Sequence, residues 1–352
     1  MNKLTLTTAI CAVLFTLPAL AKKKSEPSPP KPAPYASTYQ AIPSPPVLLQ
    51  NATVLTGTGE RLEATDVLMQ DGKIQAVGKG LSAPNNAQII NATGKWITPG
   101  IIDIHSHLGV YASPGVNATS DGNEATRPVT ANVWAEHSVW PQDAGFAKEL
   151  EGGVTSLQIL PGSANLGGGR SVILKNVYSN TVQGMKFPNA PYGIKMACGE
   201  NPKRVYGEKG GPSTRMGNMA GYRAAFIEAR DYRNKWDSYE NDSRKGSEPD
   251  QDLTNDTLAG VLRGDITVNI HCYRADEMMQ MIDMSKEFGF QIGSFHHGVE
   301  AYKIADTLAQ EKICGALWAD WWGFKMEAYD GIEENIALVD RPEGGCAIVH
   351  SD

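Results

Sequence analysis

Pro99-Gly100-Ile101-Ile102-Asp103-Ile104-His105-Ser106-His107 is an apolar run that ends in two histidines separated by a single serine. Side chains two apart on an extended strand point to the same side, so His105 and His107 can converge on one metal ion. Taken alone, such a pair reads equally well as two exposed histidines. Its weight comes from the rest of the chain. His271 closes the apolar run 266–271, His296-His297-Gly298 closes 291–295, and His350 and Asp352 close 346–352. Six of the seven histidines therefore stand at the ends of strand-like runs, which chance placement explains poorly.

From Trp96 onward, continuous apolar runs alternate with amphipathic stretches, the pattern of a parallel sheet covered by helices. The strand candidates are 101–105, 154–160, 192–197, 266–271, 291–295, 313–318 and 346–350. Helix candidates cover 217–236, 275–288, 299–310 and 332–339. An eighth strand, third in order, is expected at 171–175, although no clear helix follows it. Residues 97–352 match the roughly 250 residues of a (β/α)8 barrel. The fold class expected is α/β, a TIM-like barrel whose functional groups gather at the C-terminal ends of its strands. The polar stretch 237–256 reads as a loop insertion.

Before the barrel, residues 47–96 carry short strand-like runs punctuated by Gly57, Gly59, Asp71-Gly72 and Gly78, a small β module. Asp71-Gly72 between two such runs is a strong hairpin signal. Residues 22–46 are rich in Pro, Lys and Ser and read as an extended linker. At the N-terminus, Lys3 precedes an apolar run that ends at Ala19-Leu20-Ala21, followed by Lys22-Lys23-Lys24. This reads as a signal peptide over residues 1–21, and the run is short for a membrane anchor. Cys11 lacks the small preceding residue that a lipidated cysteine would want. The expected location is secreted or periplasmic, with no membrane association after signal cleavage.

Across 352 residues, 41% are hydrophobic and 20% charged, which excludes a disordered tail, a collagen and a multi-span membrane protein. With 32 basic against 39 acidic side chains the net charge is -7, so no general basic field favours nucleic acid. Cys198, Cys272, Cys314 and Cys346 match neither a small disulfide scaffold nor a zinc knuckle. The expectation is four buried free thiols.

A short β module, PGxIDxHxH, single histidines closing two later strands and His350-Ser351-Asp352 closing the last together resemble the amidohydrolase superfamily. Gly152-Gly153-Val154-Thr155, the run 160–165 and the run 199–207 resemble its exported imidazolonepropionase-like branch. The resemblance covers residues 48–352. It implies a barrel holding one or two divalent ions, most readily zinc, with His105, His107 and Asp352 on the first and His271 and His297 on the second. Strand alternation lets only one of His296 and His297 face the metal, and His297 is preferred because it stands before Gly298. In two-metal members a carboxylated lysine at the end of strand four bridges the ions. Lys195 is placed for that role, and Glu200 is the competing bridge. His137 and His350 are expected outside the cluster.

The implied chemistry is hydrolysis of a C–N bond in an amide, cyclic amide or dipeptide. Asp352 would act as general base and then general acid. Arg204, Tyr206 and Arg274 are candidates for holding a substrate carboxylate. The loop 163–169, with Gly167, Gly168 and Gly169, could let backbone amides approach a ligand, but it lacks a phosphate-loop ending. The partner expected is a small molecule or dipeptide, and the chain is compatible with a homo-oligomer. A superfamily deaminase is the alternative enzyme; its usual glutamate three residues after the strand-five histidine is replaced here by Arg274. A non-catalytic assembly protein of the same fold is a third reading, against which the retained ligand set argues. Family members usually continue past the strand-eight aspartate. The expectation is therefore that residues 47–96 are the N-terminal part of a composite β-sandwich, with a C-terminal part missing after Asp352.

Overall fold

The computed structural model describes residues 35–350 except 243 and 322. The proposed signal peptide, the start of the linker and Asp352 lie outside the described residues.

Residues 47–97 form one mixed sheet from β1 (Val47–Leu55), β2 (Arg61–Gln70), β3 (Lys73–Gly78), β4 (Gln88–Asn91) and β5 (Trp96–Ile97). Its order is β3-β2-β1-β4, with β5 also pairing β1. The Asp71-Gly72 turn joins β2 to β3 with both residues at positive φ, 53° and 70°, as a two-residue type I′ hairpin requires. Two runs read separately in the sequence, 47–49 and 53–55, are one strand that shifts register between Leu49 and Ala52, where Asn51 adopts φ 61°. Ala52, Val54, Val67 and Ala92 form a small buried core, while Ile74, Val77, Ile89 and Ile90 are exposed.

Eight strands make the second sheet: β6 (Ile101–Ser106), β7 (Val154–Ile159), β8 (Gly167–Lys175), β9 (Gly193–Ala197), β10 (Thr267–Cys272), β11 (Ile292–His297), β12 (Cys314–Trp318) and β13 (Ala347–His350). They follow one another in sequence order, and β13 returns to lie beside β6, so the sheet nearly closes on itself. All neighbours are parallel except β8, which runs antiparallel to both β7 and β9. This corrects the uniformly parallel expectation, and the cause is connection length. Only residues 160–166 separate β7 from β8, whereas a parallel neighbour needs a crossover of about a dozen or more residues. Of the three glycines at the start of β8, Gly169 is the one that close packing requires. Gly169 sits at φ 110°, and a Cβ there would lie 2.6 Å from the Val133 carbonyl oxygen.

The helices around the barrel are α1 (Ala144–Glu151), α2 (Val182–Met185), α3 (Glu200–Tyr206), α4 (Arg215–Asn241), α5 (Leu253–Arg263), α6 (Ala275–Phe288), α7 (Ala305–Gln310) and α8 (Asn335–Asp340). Outward-facing Ile194, Val268, Ile270 and Phe295 share one apolar core with Phe226 and Met281 of α4 and α6. The expected loop insertion is smaller than the sequence suggested. Helix α4 runs on to Asn241, and α5 begins where the Asp252 side chain accepts from the Asn255 amide. Its C-terminus is capped by Gly264 in the left-handed region.

The free-thiol expectation is wrong: Cys198 is bonded to Cys272 and Cys314 to Cys346. Separations of 74 and 32 residues hide pairs that the barrel places side by side at Cα distances of 5.2 and 4.7 Å. In each pair the cysteines stand in or beside neighbouring strands, β9 with β10 and β12 with β13. Replacing both Cys198 and Cys272 by Ala is expected to cost about 2–4 kcal/mol. A lower denaturant midpoint at unchanged slope would show it, and an unchanged midpoint would mean the bond constrains little.

Candidate metal centre

Strands β6, β9, β10, β11 and β13 all end at the same mouth of the barrel and carry His105, Lys195, His271, His296, His297 and His350 inward. His107 follows β6 directly. The rings form one cluster: His105 lies 5.1 Å from His107 and 4.9 Å from His297 by centroid, and His271 lies 4.5 Å from His297. His105, His271 and His297 are each about 97% or more buried, with relative exposures of 2%, 3% and 3%.

Both histidines of the His296-His297 pair face this cluster, which strand alternation alone forbids. His297 adopts φ 70°, a left-handed conformation in which a non-glycine residue is strained. The strand breaks its alternation there, and the second ring swings to the side that His296 already occupies. His350 also departs from expectation. It is 6% exposed and stacks on His105 with centroids 4.7 Å apart and planes 5° from parallel. His137 lies elsewhere, stacked on Trp134.

Burial is the first cause holding the imidazoles neutral, and the nearby Lys195 charge adds to it. His107 is lowered to about 4, and His105, His271, His296 and His297 are lowered well below their ordinary value. Neutral imidazole is the ligating form. The Nδ1 atoms of His271 and His297 are buried without a hydrogen-bond partner, the signature of donors reserved for an ion. The donor set and these orphaned nitrogens fit a divalent cation.

The mouth opens into a cavity of about 300 Å3. Lys195 and Glu200, the rival bridges, both line it, but only Lys195 is deeply buried, at 1% exposure. Glu200 faces Lys325 at 3.5 Å instead. Of the three candidate carboxylate binders, Arg204 lines the cavity, one turn of α3 beyond Glu200. Tyr206 does not, because α3 turns it into the core, where its hydroxyl accepts from Asn165 at 2.7 Å. Arg274 is drawn away by Asp276, with Nε 3.0 Å from Oδ1. Reading the sequence missed the opposite wall: Tyr273, Trp318, Trp321 and Phe324, with Tyr273 stacked on His297 and Trp318 4.5 Å from it. The run of aromatics just after a barrel strand was the available signal.

Behind the mouth, Glu277 at the start of α6 is raised to about 7, first by burial and then by the Glu327 carboxylate. Between about 4.5 and 7 the folded chain holds a proton that the unfolded chain has released, so stability falls as pH rises through this window. Glu277→Gln is therefore expected to raise the melting temperature at pH 8 by about 2–4 °C and to leave it unchanged at pH 4. A variant that melts lower at pH 8 would contradict this.

A nearly closed eight-stranded barrel with histidines gathered at its C-terminal mouth has the candidate metal centre where barrel active sites are built. The chain is 38% identical to the crystal structure of an amidohydrolase from Thermotoga maritima MSB8, which covers 86% of this chain and 78% of that one at a TM-score of 0.79. The chain belongs to the amidohydrolase family. It is 34% identical over 325 residues to amidohydrolase tasK of Hapsidospora irregularis, covering 81% of this chain and 33% of that protein. A shorter stretch of 79 residues is 37% identical to the dihydroorotase of Geobacter sulfurreducens, covering 22% of this chain and 18% of that enzyme. The chain thus spans a third or less of the length of these curated relatives. No family model matches it. Among the described residues, no helix is long and apolar enough to cross a membrane.

Proposed function

We propose that this protein hydrolyses a C–N bond, in an amide, cyclic amide or dipeptide, at a divalent metal centre in the barrel mouth. The observation that supports this reading is the convergence of His105, His107, His271 and His297 on Lys195 at one buried point. His105 and His107, with Asp352, would hold a first ion, most readily zinc. His271 and His297 would hold a second, and Lys195, carboxylated on Nζ, would bridge the two. An ion bound there supplies Lewis-acid chemistry, polarising a carbonyl and making water a competent nucleophile at neutral pH.

The chain's own residues do the rest. Asp352 takes a proton and returns it to the leaving nitrogen. Arg204 holds a carboxylate, and the wall of Tyr273, Trp318, Trp321 and Phe324 receives an apolar group and excludes water. This favours a dipeptide or N-acyl amino acid over an uncharged amide. Two disulfides suit an oxidising compartment and support export by the 1–21 signal. Turnover of a panel of dipeptides, N-acyl amino acids and cyclic imides by zinc-loaded protein tests the reading. Activity on C-terminal carboxylates that falls on Arg204→Met through KM is expected; equal activity on uncharged amides would remove Arg204 from the site.

A further inference from the structure

The two histidines of the first pair reach the same tautomer by different routes. His107 Nδ1 lies 2.9 Å from the Leu160 carbonyl oxygen, which can only accept, so its proton is on Nδ1 and its lone pair on Nε2. His105 Nδ1 lies 2.7 Å from Nδ1 of His296, and a hydrogen bond between two imidazoles leaves the donor undecided.

The far side of His296 decides it. The Asn269 amide is oriented by its Nδ2 donating to the Thr267 carbonyl at 3.4 Å, which turns Oδ1 toward β11. The Ser294 hydroxyl donates to that Oδ1 at 3.0 Å, so its oxygen can only accept from a further partner. His296 Nε2 is 2.8 Å from the Ser294 oxygen and 3.3 Å from Asn269 Oδ1, two acceptors, so the His296 proton is on Nε2. Its Nδ1 then carries the lone pair and must receive from His105 Nδ1. All four side chains are buried, at 0–7% exposure.

We propose that His296 is a positioning residue, the last member of an Asn269–Ser294–His296 relay that fixes His105 in the Nδ1–H tautomer and so presents its Nε2 lone pair to the metal. This rests on the metal-centre reading above. Partners of this kind are ordinarily carboxylates or carbonyls; here an imidazole serves. One nitrogen each of His105, His296 and His350 lies within 4.8 Å of the others, which raises direct ligation as the rival role. Two nitrogens on one tetrahedral ion stand about 3.4 Å apart, however, whereas the two Nδ1 atoms of His105 and His296 lie 2.7 Å apart, a hydrogen bond that leaves neither of them to an ion.

Zinc affinity by chelator competition on the full chain separates the two roles, with thermal melts confirming that each variant folds. His296→Leu is expected to weaken zinc binding about 10–100-fold. His296→Gln, whose amide can accept from His105 and donate to Ser294, is expected to stay near wild type. Wild-type affinity in the Leu variant, or equal loss in the Gln variant as a direct ligand would show, overturns the proposal. Long-range proton–nitrogen spectra of metal-free wild-type protein decide it even where a variant fails to fold. They should show His105 protonated on Nδ1 and His296 on Nε2, and the reverse would overturn the assignment. Absence of zinc binding by wild type alongside those tautomers would instead remove the metal reading.

Discussion

Lys195→Ala is expected to lower the zinc content from two ions to one or none, while Glu200→Ala keeps it at two. The reason is electrostatic. Lys195 is 1% exposed, and its charge bears on His105, His107, His271, His296 and His297. A buried ammonium repels the cations that such a cluster would gather, and placing it there is costly. Carboxylation replaces the positive charge with a negative one that carries two oxygen donors, turning the least favourable group in the mouth into its strongest ligand. Glu200, at the head of α3, already faces Lys325. Metal analysis of both variants decides between them. An unchanged count in Lys195→Ala, with loss in Glu200→Ala, would transfer the bridge to Glu200.

Asp352→Asn is expected to lower kcat by about 10²–10⁴-fold, the range associated with removing a general acid–base. Asparagine preserves size and one oxygen but cannot take the proton that must reach the leaving nitrogen. Measured with zinc content on the same samples, the variant should keep at least the ion held by His271 and His297 yet turn over slowly. Near-normal kcat would give the proton-transfer role to another group.

Much of the barrel was legible because apolar strands and amphipathic helices differ in period. The runs 101–105, 266–271 and 291–295 are observed as β6, β10 and β11 within a residue or two. What escaped is what periodicity does not encode. The reversal of β8 follows from the length of one connection, and the pairing of Cys198 with Cys272 from the adjacency of β9 and β10. The inward turn of both His296 and His297 follows from one residue with positive φ, which breaks the rule used to choose between them. Tyr206 was misjudged because sequence distance from Lys195 says nothing about which face of α3 points at the mouth. The aromatic wall was visible as composition but had no partner until β12 brought Trp318 beside His297.

If the histidine cluster is a metal centre, zinc must occupy the barrel mouth. Anomalous diffraction at the zinc edge, from crystals of the zinc-loaded chain, tests it most directly. Peaks are expected within coordination distance of His105 and His107 on one side and of His271 and His297 on the other, with density for a carboxylated Lys195 between them. Zinc peaks only at surface carboxylates or at His137, with the barrel mouth empty at saturating metal, would contradict it.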